Sequence, residues 1–474
     1  MRFPLESPVA PISDDVLLIP AWLLAPVNQP NGNEHGPNTL NGYGVKDGSV
    51  TKPHMPIDLG VYLDVVLEEN RRITAETHWQ DVRHLAFSSK TMVDYEPGDI
   101  LTVFPENAPE DVAQLMDLMQ WNDVADLQVT FICNEASRQS GIPSSLPFQL
   151  SPHSQGITFR ELVRKHLDLN GIPRRSFFRL LAHFTDDNFQ KDRLLDFTNP
   201  EYIDELFDYT TRPRRSILEV LQEFDTVDFP WQWAAAIIPQ LRGRQFSIAS
   251  GGSLKSMNSN ATRFELLVAI VKYKTVIKKV RRGVCTRYLE SLTPGTSLQV
   301  RFQKGSLRLT ANDHARPVIM VGPGTGVAPM RSLIWERLRL QQQSHGAPDH
   351  NHVNVGSNVL FFGCRDQNLD YFYEDEWKHL SSQMPLQVVT AFSRNQSQKV
   401  YVQDQIRKQS KLVYQLLHDD GGIVFVCGSS GKMPLAVREA LVDAFITEGA
   451  MTRNTAESYL ANIEKQGRYR QETW

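Results

Sequence analysis

Residues 318–329 read Val-Ile-Met-Val-Gly-Pro-Gly-Thr-Gly-Val-Ala-Pro, and this stretch is the clearest indicator of the fold class. Its four leading apolar residues predict a buried parallel strand, because such strands are covered on both faces. Three glycines then alternate, and glycine lets the backbone turn sharply and approach a ligand closely. Residues 330–343 mix apolar and charged side chains at helical spacing. A strand, a glycine-rich turn and a helix together present a helix N-terminus to a phosphate group.

The turn differs from the common dinucleotide fingerprint G-x-G-x-x-G, because its glycines alternate and a proline ends it. Taken alone, it fits a structural turn as well as a ligand-binding one. The downstream pattern is more specific. Further strands are predicted at 359–363, 386–392 and 423–427, with helices between them and another helix at 435–448. This alternation predicts a doubly wound parallel α/β domain over residues 313–474.

Upstream of the turn the pattern changes to short strands separated by polar turns. Strands are predicted at 62–67, 82–87, 100–104, 244–250, 264–273 and 297–303. Such a series is typical of an antiparallel β-barrel, here assembled from residues 57–105 and 241–312. Residues 106–240 between the two halves predict a helical insertion, with amphipathic helices at 109–121, 158–167, 175–184 and 216–224. The expected fold class is therefore α/β plus β.

Composition limits the classes of partner and compartment. The chain has 474 residues, enough for two or three domains of about 150 residues each. A net charge of −4 argues against nucleic acid as the main partner. Four scattered cysteines without a C-x-x-C motif predict a reduced, intracellular protein with no metal site.

The N-terminal segment predicts neither a compact domain nor a membrane anchor. Residues 1–56 are rich in proline, asparagine and glycine, which is typical of a linker or a disordered segment. The apolar run at 16–27 is too short to span a membrane and contains two prolines. No signal peptide is apparent.

Two strings suit a flavin nucleotide. Arg244-Gln245-Phe246-Ser247 begins a predicted strand, where the arginine offers a forked cation to a phosphate. Phe246 points to the same side as Arg244, so its ring could pack on a flavin. An exposed arginine beside a core phenylalanine would give the same string. Residues 283–286 open a predicted helix whose amides suit a pyrophosphate, although an ordinary helix cap would read alike.

Polar residues after the predicted strand at 386–392 indicate which nucleotide the protein binds. Ser393, Arg394, Lys399 and Tyr401 lie at a carboxyl strand end, where ligands of such sheets collect. Two cations and two hydroxyls suit a dianionic 2′-phosphate. An NAD enzyme would instead place a carboxylate near the ribose. The charge pattern therefore favours NADPH over NADH.

These strings, taken in their order along the chain and together with a terminal tryptophan, resemble the FAD/NADPH half of the cytochrome P450 reductase-like diflavin reductases. Those proteins are ferredoxin–NADP reductase-like: an antiparallel β-barrel FAD domain with a helical connecting insertion, then an α/β NADPH domain. The resemblance covers residues 57–474. Arg-x-Phe-Ser at 244–247, Tyr-Thr-Thr-Arg-Pro-Arg-Arg at 209–215 and the final Glu-Thr-Trp are most similar to the NADPH-dependent diflavin oxidoreductases of cytosolic iron–sulfur cluster assembly.

The resemblance implies roles for individual residues. FAD would be bound by Arg212, Arg244, Gln245, Phe246, Ser247, Gly283, Val284, Cys285, Thr286 and Trp474. NADPH would be bound by Thr325, Arg365, Ser393, Arg394, Lys399, Val400, Tyr401, Val402 and Gln403. The hydride path would be surrounded by Ser247, Cys427, Glu472 and Trp474. Trp474 would stack over the flavin ring and move aside to admit the nicotinamide.

The resemblance also implies an electron route. NADPH would reduce FAD, and single electrons would pass through FMN to an anamorsin-like iron–sulfur protein in the cytoplasm, with mitochondria as a second compartment. FMN is implied for the complete system, but this sequence holds no FMN site, and relatives carry a flavodoxin-like domain for it in the same chain. Two alternatives stay open. One is a reductase for a haem protein or sulfite reductase, and the other is a non-catalytic flavin-binding scaffold, since Ala436 stands where relatives commonly have aspartate.

Overall fold

The chain divides into two compact units. The computed structural model describes residues 22–27, 60–133, 156–258, 261–310, 313–346 and 355–474. The larger unit comprises residues 54–104, 243–272 and 285–474. The smaller unit comprises residues 1–53, 105–242 and 273–284.

The first part of the larger unit is a seven-stranded antiparallel sheet. In spatial order its strands are Arg244–Ser247, Ile100–Val103, Ser297–Gln303, Val61–Arg72, Val82–Ser89, Ala261–Ala269 and Ser256–Asn258. Just beyond the first of these strands, the amide of Ala249 donates to the carbonyl of Glu265 at 2.7 Å, so the sheet curls back on itself. Its apolar interior includes Leu63, Leu67, Phe87, Leu101 and Phe264. The predicted antiparallel barrel is confirmed.

The second part of the larger unit is a five-stranded parallel sheet. Its spatial order is Leu386–Phe392, Asn358–Cys364, Val318–Val321, Ile423–Gly428 and Tyr469–Thr473. The strand that comes first in the chain lies in the centre, so the order reverses between Val318–Val321 and Ile423–Gly428. Ligands of such sheets bind at the carboxyl ends of the strands beside this reversal. The predicted doubly wound α/β domain is confirmed, and it places the glycine turn at this position.

Helices accompany both sheets of the larger unit. Val284–Ser291, which begins at the end of the smaller unit, follows the strand Val280–Arg282. The α/β part contains the helices Val327–Gly346, Gln367–Asp370, Glu374–Gln383, Val402–Lys408, Ser410–Tyr414, Met433–Gly449 and Arg453–Lys465. Two apolar cores form, one on each face of the parallel sheet, because alternate residues such as Met320 and Val321 point to opposite sides.

The smaller unit is mostly helical. Its helices are Pro109–Leu118, Phe159–His166, Arg175–Leu181, Asn188–Asp196, Ile203–Leu206, Ile217–Glu223 and Ala234–Ile237. Thr158 and Ser216 each begin a helix with a capping box, in which the hydroxyl accepts from the third helical amide and a glutamate reaches back. The helices pack around one core that includes Met116, Phe159, Phe178 and Phe229. The four helices expected from the sequence of the insertion are therefore observed.

Two segments differ from the expectation. Within residues 1–56, Trp22–Pro26 is a strand that pairs antiparallel with Val129–Cys133, itself not predicted. Its apolar Leu24 is buried in the core of the smaller unit. Residues 1–21, 28–56 and 57–59 lie outside the described residues. The domain boundaries drawn from the sequence remain predictions.

The second difference concerns a hairpin. Lys272–Lys274 and Val280–Arg282 form a two-stranded ladder that stands apart from the barrel strands. Residues 273–284 group with the helical unit because Glu219 accepts hydrogen bonds from Lys279 and, at 2.8 Å, from Arg281. Burial alone would raise the pKa of Glu219, but these bonds lower it to about 2. In the described parts of the chain, no helix has the length and apolar character that a membrane crossing needs.

Candidate active site

The glycine turn lies at the carboxyl end of the central strand Val318–Val321. Gly324–Gly326 form a single 3-10 turn, and the helix Val327–Gly346 follows at once. A side-chain carbon at Gly326 would lie 2.2 Å from the carbonyl oxygen of Cys427, so only glycine fits there. Gly324 adopts a φ of +57°, in the left-handed region that favours glycine. The turn therefore packs directly against the neighbouring strand end and places Thr325 at the reversal of strand order.

A hydrogen-bonded pair joins the barrel to the parallel sheet. Ser247, at the end of a barrel edge strand, donates its hydroxyl to Oε1 of Glu472 at 3.0 Å. Glu472 lies on the edge strand Tyr469–Thr473, directly opposite Cys427 in the parallel ladder. Oε2 of Glu472 is buried without a hydrogen-bond partner in the described residues. Three of the four predicted hydride-path residues thus meet at one place.

The electrostatics of this cluster favour uncharged side chains. Burial raises the pKa of Glu472, and the hydrogen bond from Ser247 opposes that rise only in part. Burial also raises the pKa of the Cys427 thiol well above its ordinary value, and the nearby charge of Glu472 adds to the effect. Cys427 is therefore a neutral thiol at physiological pH. Glu472 retains a proton to higher pH than a glutamate in water.

Trp474 completes the cluster. Its amide donates to the carbonyl of Gly428 at 3.1 Å, and its carbonyl accepts from the amide of Ser430 at 3.0 Å. These bonds fix the backbone beside the end of the strand that carries Cys427. The side chain is 53% exposed, so the indole is free of tight packing. A fixed backbone and an exposed ring suit a residue whose side chain covers a site and moves aside.

The flavin-side strand presents the predicted residues at the edge of the barrel. Arg244–Ser247 pairs antiparallel with Ile100–Val103, with Phe246 opposite Leu101. Arg244 and Gln245 are exposed, and Gln245 donates to Oε1 of Gln303 at 3.2 Å. Phe246 is half-buried against the barrel core, which leaves part of its ring open to a flavin.

The helix Val284–Ser291 offers backbone amides rather than side chains. Cys285 and Thr286 are buried, and the Thr286 hydroxyl accepts from the amide of Val271 at 3.0 Å. Burial raises the pKa of Cys285 to about 12. A pyrophosphate would therefore meet Gly283, the first amides of the helix and the positive end of its dipole. Arg212, in the smaller unit, pairs with Asp208 at 3.3 Å, and its role toward FAD remains a prediction.

The nucleotide side is built on two neighbouring strand ends. Ser393 donates from its amide at 3.0 Å and its hydroxyl at 3.3 Å to the carbonyl of Cys364. The amide of Arg394 donates to the carbonyl of Arg365 at 2.8 Å. The loops that follow Asn358–Cys364 and Leu386–Phe392 are thus tied together. They bring the two predicted phosphate-binding arginines onto adjacent loops.

The predicted residues 399–403 divide by accessibility. Lys399 and Tyr401 are exposed, and Gln403 is half-buried. Val402 is buried in the core, where its Cγ1 would lie 2.8 Å from a side-chain carbon added at Gly363. Val400 is half-buried and packs against the same core. Val402 could therefore serve a nucleotide only through its backbone.

A buried arginine was missed by the sequence reasoning. Arg331, in the helix after the glycine turn, donates to the carbonyl of Ala249 at 3.0 Å and to Oε2 of Glu265 at 2.6 Å. It also donates to both carboxylate oxygens of Glu376, at 2.7 and 3.1 Å. Ala249 lies two residues after Ser247, so Arg331 ties the helix behind the turn to the flavin-side strand. An arginine within the apolar run 327–334 was the signal available, because a buried cation requires partners.

The described residues fit FAD. A helix N-terminus, an exposed arginine and a half-open aromatic ring supply anion binding and a stacking surface on one edge of the barrel. The unpartnered Oε2 of Glu472 lies at the same edge, where a ligand group could satisfy it.

Comparisons with known proteins agree with this arrangement. Two family models match: the FAD binding domain at residues 60–288 and the oxidoreductase NAD-binding domain at residues 320–439. NADPH-dependent diflavin oxidoreductase 1 of Emericella nidulans is 46% identical over 484 residues, which cover 100% of this chain and 74% of the relative. The chain belongs to the NADPH-dependent diflavin oxidoreductase family.

Other members of the family match over the same extent. The protein of the same name from Aspergillus fumigatus is 46% identical over 487 residues, and that from Xenopus laevis is 36% identical over 478 residues. Both alignments cover 100% of this chain and 74% of the relative. The chain is therefore an NADPH-dependent oxidoreductase with FAD-binding and nucleotide-binding domains. Diflavin relatives also use FMN, and no flavodoxin-like sheet occurs among the residues described here.

Proposed function

We propose that this diflavin oxidoreductase passes single electrons from NADPH, through FAD and then FMN, to an anamorsin-like iron–sulfur protein in cytosolic iron–sulfur cluster assembly. The cytoplasm, with mitochondria as a second compartment, is part of the same proposal. The family supports the NADPH-dependent diflavin chemistry. The similarity of residues 209–215, 244–247 and 472–474 to the iron–sulfur assembly branch supports this choice of acceptor.

The Ser247–Glu472 hydrogen bond is the observation that supports the hydride step. It joins the flavin-side strand to the strand end that faces the nucleotide side, across 225 residues of sequence. When bound, FAD accepts a hydride from NADPH and passes electrons on one at a time. Ser247 and Glu472 would orient the reacting groups through hydrogen bonds. The neutral thiol of Cys427 would line the same edge without adding charge.

The remaining predicted residues would set affinity and selectivity. Arg365 would bind the pyrophosphate of NADPH, because a guanidinium group binds such anions well. Arg394 and Lys399 would bind its 2′-phosphate through their charges, and Tyr401 would do so through its hydroxyl. Trp474 would cover the site until the nicotinamide displaces its ring. FMN would be supplied by a flavodoxin-like domain.

The test separates the hydride step from the choice of acceptor. The purified protein with FAD is mixed with NADPH without oxygen, and flavin absorbance is followed. We expect bleaching, and persistent absorbance with FAD bound would instead favour the non-catalytic scaffold. A flavodoxin-like domain of a relative is then added with an anamorsin-like protein, a cytochrome P450 or sulfite reductase. Faster electron transfer to the haem acceptors than to the iron–sulfur protein would refute the proposed acceptor.

A further inference from the structure

One exposed tryptophan lies outside every predicted site. Trp79 belongs to the barrel loop, defined here as residues 73–81 between the strands Val61–Arg72 and Val82–Ser89. Its side chain is 61% exposed. Tryptophan carries a large apolar ring and is highly buried on average, so this degree of exposure is unusual and calls for a reason.

The ring of Trp79 is in contact with a predicted nucleotide-binding residue. The guanidinium carbon of Arg365 lies over the ring, 4.6 Å from its centroid. The next residue, Gln80, accepts a hydrogen bond from Nη1 of Arg365 through its Oε1. One loop thus contacts the guanidinium twice, by a cation–π contact with the ring of Trp79 and by a hydrogen bond to Gln80.

The backbone of the barrel loop is hydrogen-bonded both to the barrel strand before it and to the α/β part of the larger unit. Arg72 donates from Nη2 to the carbonyls of Ala75 and His78, at 2.9 and 2.6 Å. The amide of Ala75 donates to the carbonyl of Leu369 at 3.0 Å, four residues after Arg365. The backbone that carries Trp79 is therefore hydrogen-bonded to the barrel through Arg72 and to the segment after Arg365 through Leu369.

The charges around Arg365 leave it suited to an added anion. Asp370 lies 3.8 Å from Nη1 of Arg365, but both of its carboxylate oxygens accept from the backbone amide of Arg365, at 3.0 and 3.1 Å. Burial lowers the pKa of Arg365, the charge of Asp370 opposes this shift, and the charge of Arg394 adds to it. An anionic ligand beside these two guanidinium groups would reduce their repulsion.

We propose that Trp79 and Gln80 are positioning residues for NADPH: they hold the guanidinium of Arg365 ready for the pyrophosphate of the nucleotide. The inference rests on the proposed role of Arg365. A free arginine side chain loses rotamer freedom when it binds an anion, whereas one that is already stacked and hydrogen-bonded loses less. The barrel loop would thus raise nucleotide affinity through Arg365 and leave the hydride step unchanged.

The experiment compares two ligands on the full chain with FAD bound. Calorimetric titration measures the affinity for NADP⁺ and for adenosine 2′-monophosphate, which keeps the 2′-phosphate but lacks the pyrophosphate. For Trp79→Ala we expect NADP⁺ affinity to fall about three- to tenfold, the range of a partly exposed cation–π contact. Affinity for adenosine 2′-monophosphate stays the same. Trp79→Phe keeps a ring for stacking and restores NADP⁺ affinity to within about twofold.

Gln80 gives a second, independent variant. Gln80→Glu places a carboxylate on the guanidinium that the pyrophosphate would occupy, so NADP⁺ affinity falls by about tenfold or more. Gln80→Ala gives a smaller loss. The rate of flavin reduction at saturating NADPH stays unchanged in all these variants. Phe189→Ala, which removes an 82% exposed ring from the smaller unit, is the matched control and changes neither affinity.

The outcomes separate the inference from its premise. If Arg365→Ala weakens NADP⁺ binding but Trp79→Ala and Gln80→Ala do not, the positioning role is overturned and the role of Arg365 stands. Equal losses for NADP⁺ and adenosine 2′-monophosphate would also overturn it, since the pyrophosphate would not be the group involved. If Arg365→Ala itself leaves NADP⁺ affinity unchanged, the assignment of Arg365 is wrong and the positioning role falls with it.

Discussion

Two parts of the larger unit use polar residues in opposite ways. One is the hydride cluster, which consists of Ser247, Cys427 and Glu472. The other is the nucleotide loops, which follow the strands Asn358–Cys364 and Leu386–Phe392. Around Ser247, Cys427 and Glu472, side chains are largely buried, and burial raises the pKa values of the thiol and the carboxyl group. At Arg394 and Lys399, charged side chains are exposed to solvent. The exposed cations can attract a polyanion from a distance, whereas the buried cluster can orient uncharged rings without competing ions. On the proposed roles, binding and chemistry would thus be separated along one sheet edge.

The sharpest test of the separation is Ser247→Ala. Loss of the hydroxyl removes the hydrogen-bond partner of Oε1 of Glu472, whose Oε2 has none among the described residues, and we expect flavin reduction to slow about 10- to 100-fold. NADP⁺ affinity stays within about twofold of the native value. Stopped-flow absorbance measures the rate, and Ser253→Ala, at an exposed position, is the control. An affinity loss as large as the rate loss would contradict the separation.

The reverse pattern is expected for the exposed cations. On the proposed assignment, Arg394→Ala and Lys399→Ala would each remove a charge-assisted bond to the 2′-phosphate, so we expect affinity for NADPH to fall about tenfold or more while affinity for NADH barely changes. The loss shrinks at high salt because exposed charges are screened. Steady-state kinetics with both nucleotides, with Lys411→Ala as an exposed control, provides the measurement. Equal losses of affinity for the two nucleotides would contradict the assignment of Arg394 and Lys399 to the 2′-phosphate.

Trp474 follows the edge strand that carries Glu472, and on its proposed role its substitution should change nucleotide selectivity without changing the charge of the site. Trp474→Ala removes an exposed ring that, on the proposed role, competes with the nicotinamide of either nucleotide. We expect the ratio of kcat/KM for NADH to that for NADPH to rise about tenfold, because NADH has less binding energy with which to displace the ring. Kinetics with both nucleotides tests this. An unchanged ratio would argue against a covering role.

The smallest effect concerns stability. The pKa of Glu472 is raised in the folded state above its ordinary value of 4.5. Its contribution to stability is therefore full below that pH and is lost as the pH rises through the folded-state pKa. Glu472→Gln should match the native protein in acid and exceed it slightly in stability at alkaline pH, although its flavin reduction is slower. Thermal unfolding of both proteins across pH measures this difference. A stability difference that does not change with pH would show that burial does not raise the pKa of Glu472.

Local sequence patterns predicted most of the fold. The strand Val318–Val321 and its glycine turn, the strands Ser297–Gln303 and Leu386–Phe392, and the helices of the insertion follow from periodicity and capping residues. The edge strand Tyr469–Thr473 was missed because its residues are mainly polar, and an edge strand need not be apolar on both faces. The strand Trp22–Pro26 was missed because prolines and glycines surround it.

The site was less accessible to sequence reasoning than the fold. Spacing alone cannot bring Ser247 to Glu472 or Arg331 to Glu265, because these contacts join distant segments. The first pair was found only through a family resemblance, and the second was not found at all. Accessibility was equally hidden: Val402 was expected at the nucleotide, yet it packs inward beneath Gly363. Tertiary packing decides both matters.

The barrel is assembled from segments that are far apart in the chain. Val61–Arg72 pairs with Ser297–Gln303, and Ile100–Val103 pairs with Arg244–Ser247, so the strands cannot meet until the helical insertion has been made. Helices within the insertion rely on nearby contacts, and local contacts form faster than distant ones. We therefore expect the insertion to fold first during synthesis and the barrel to close late, after residue 303 has emerged from the ribosome.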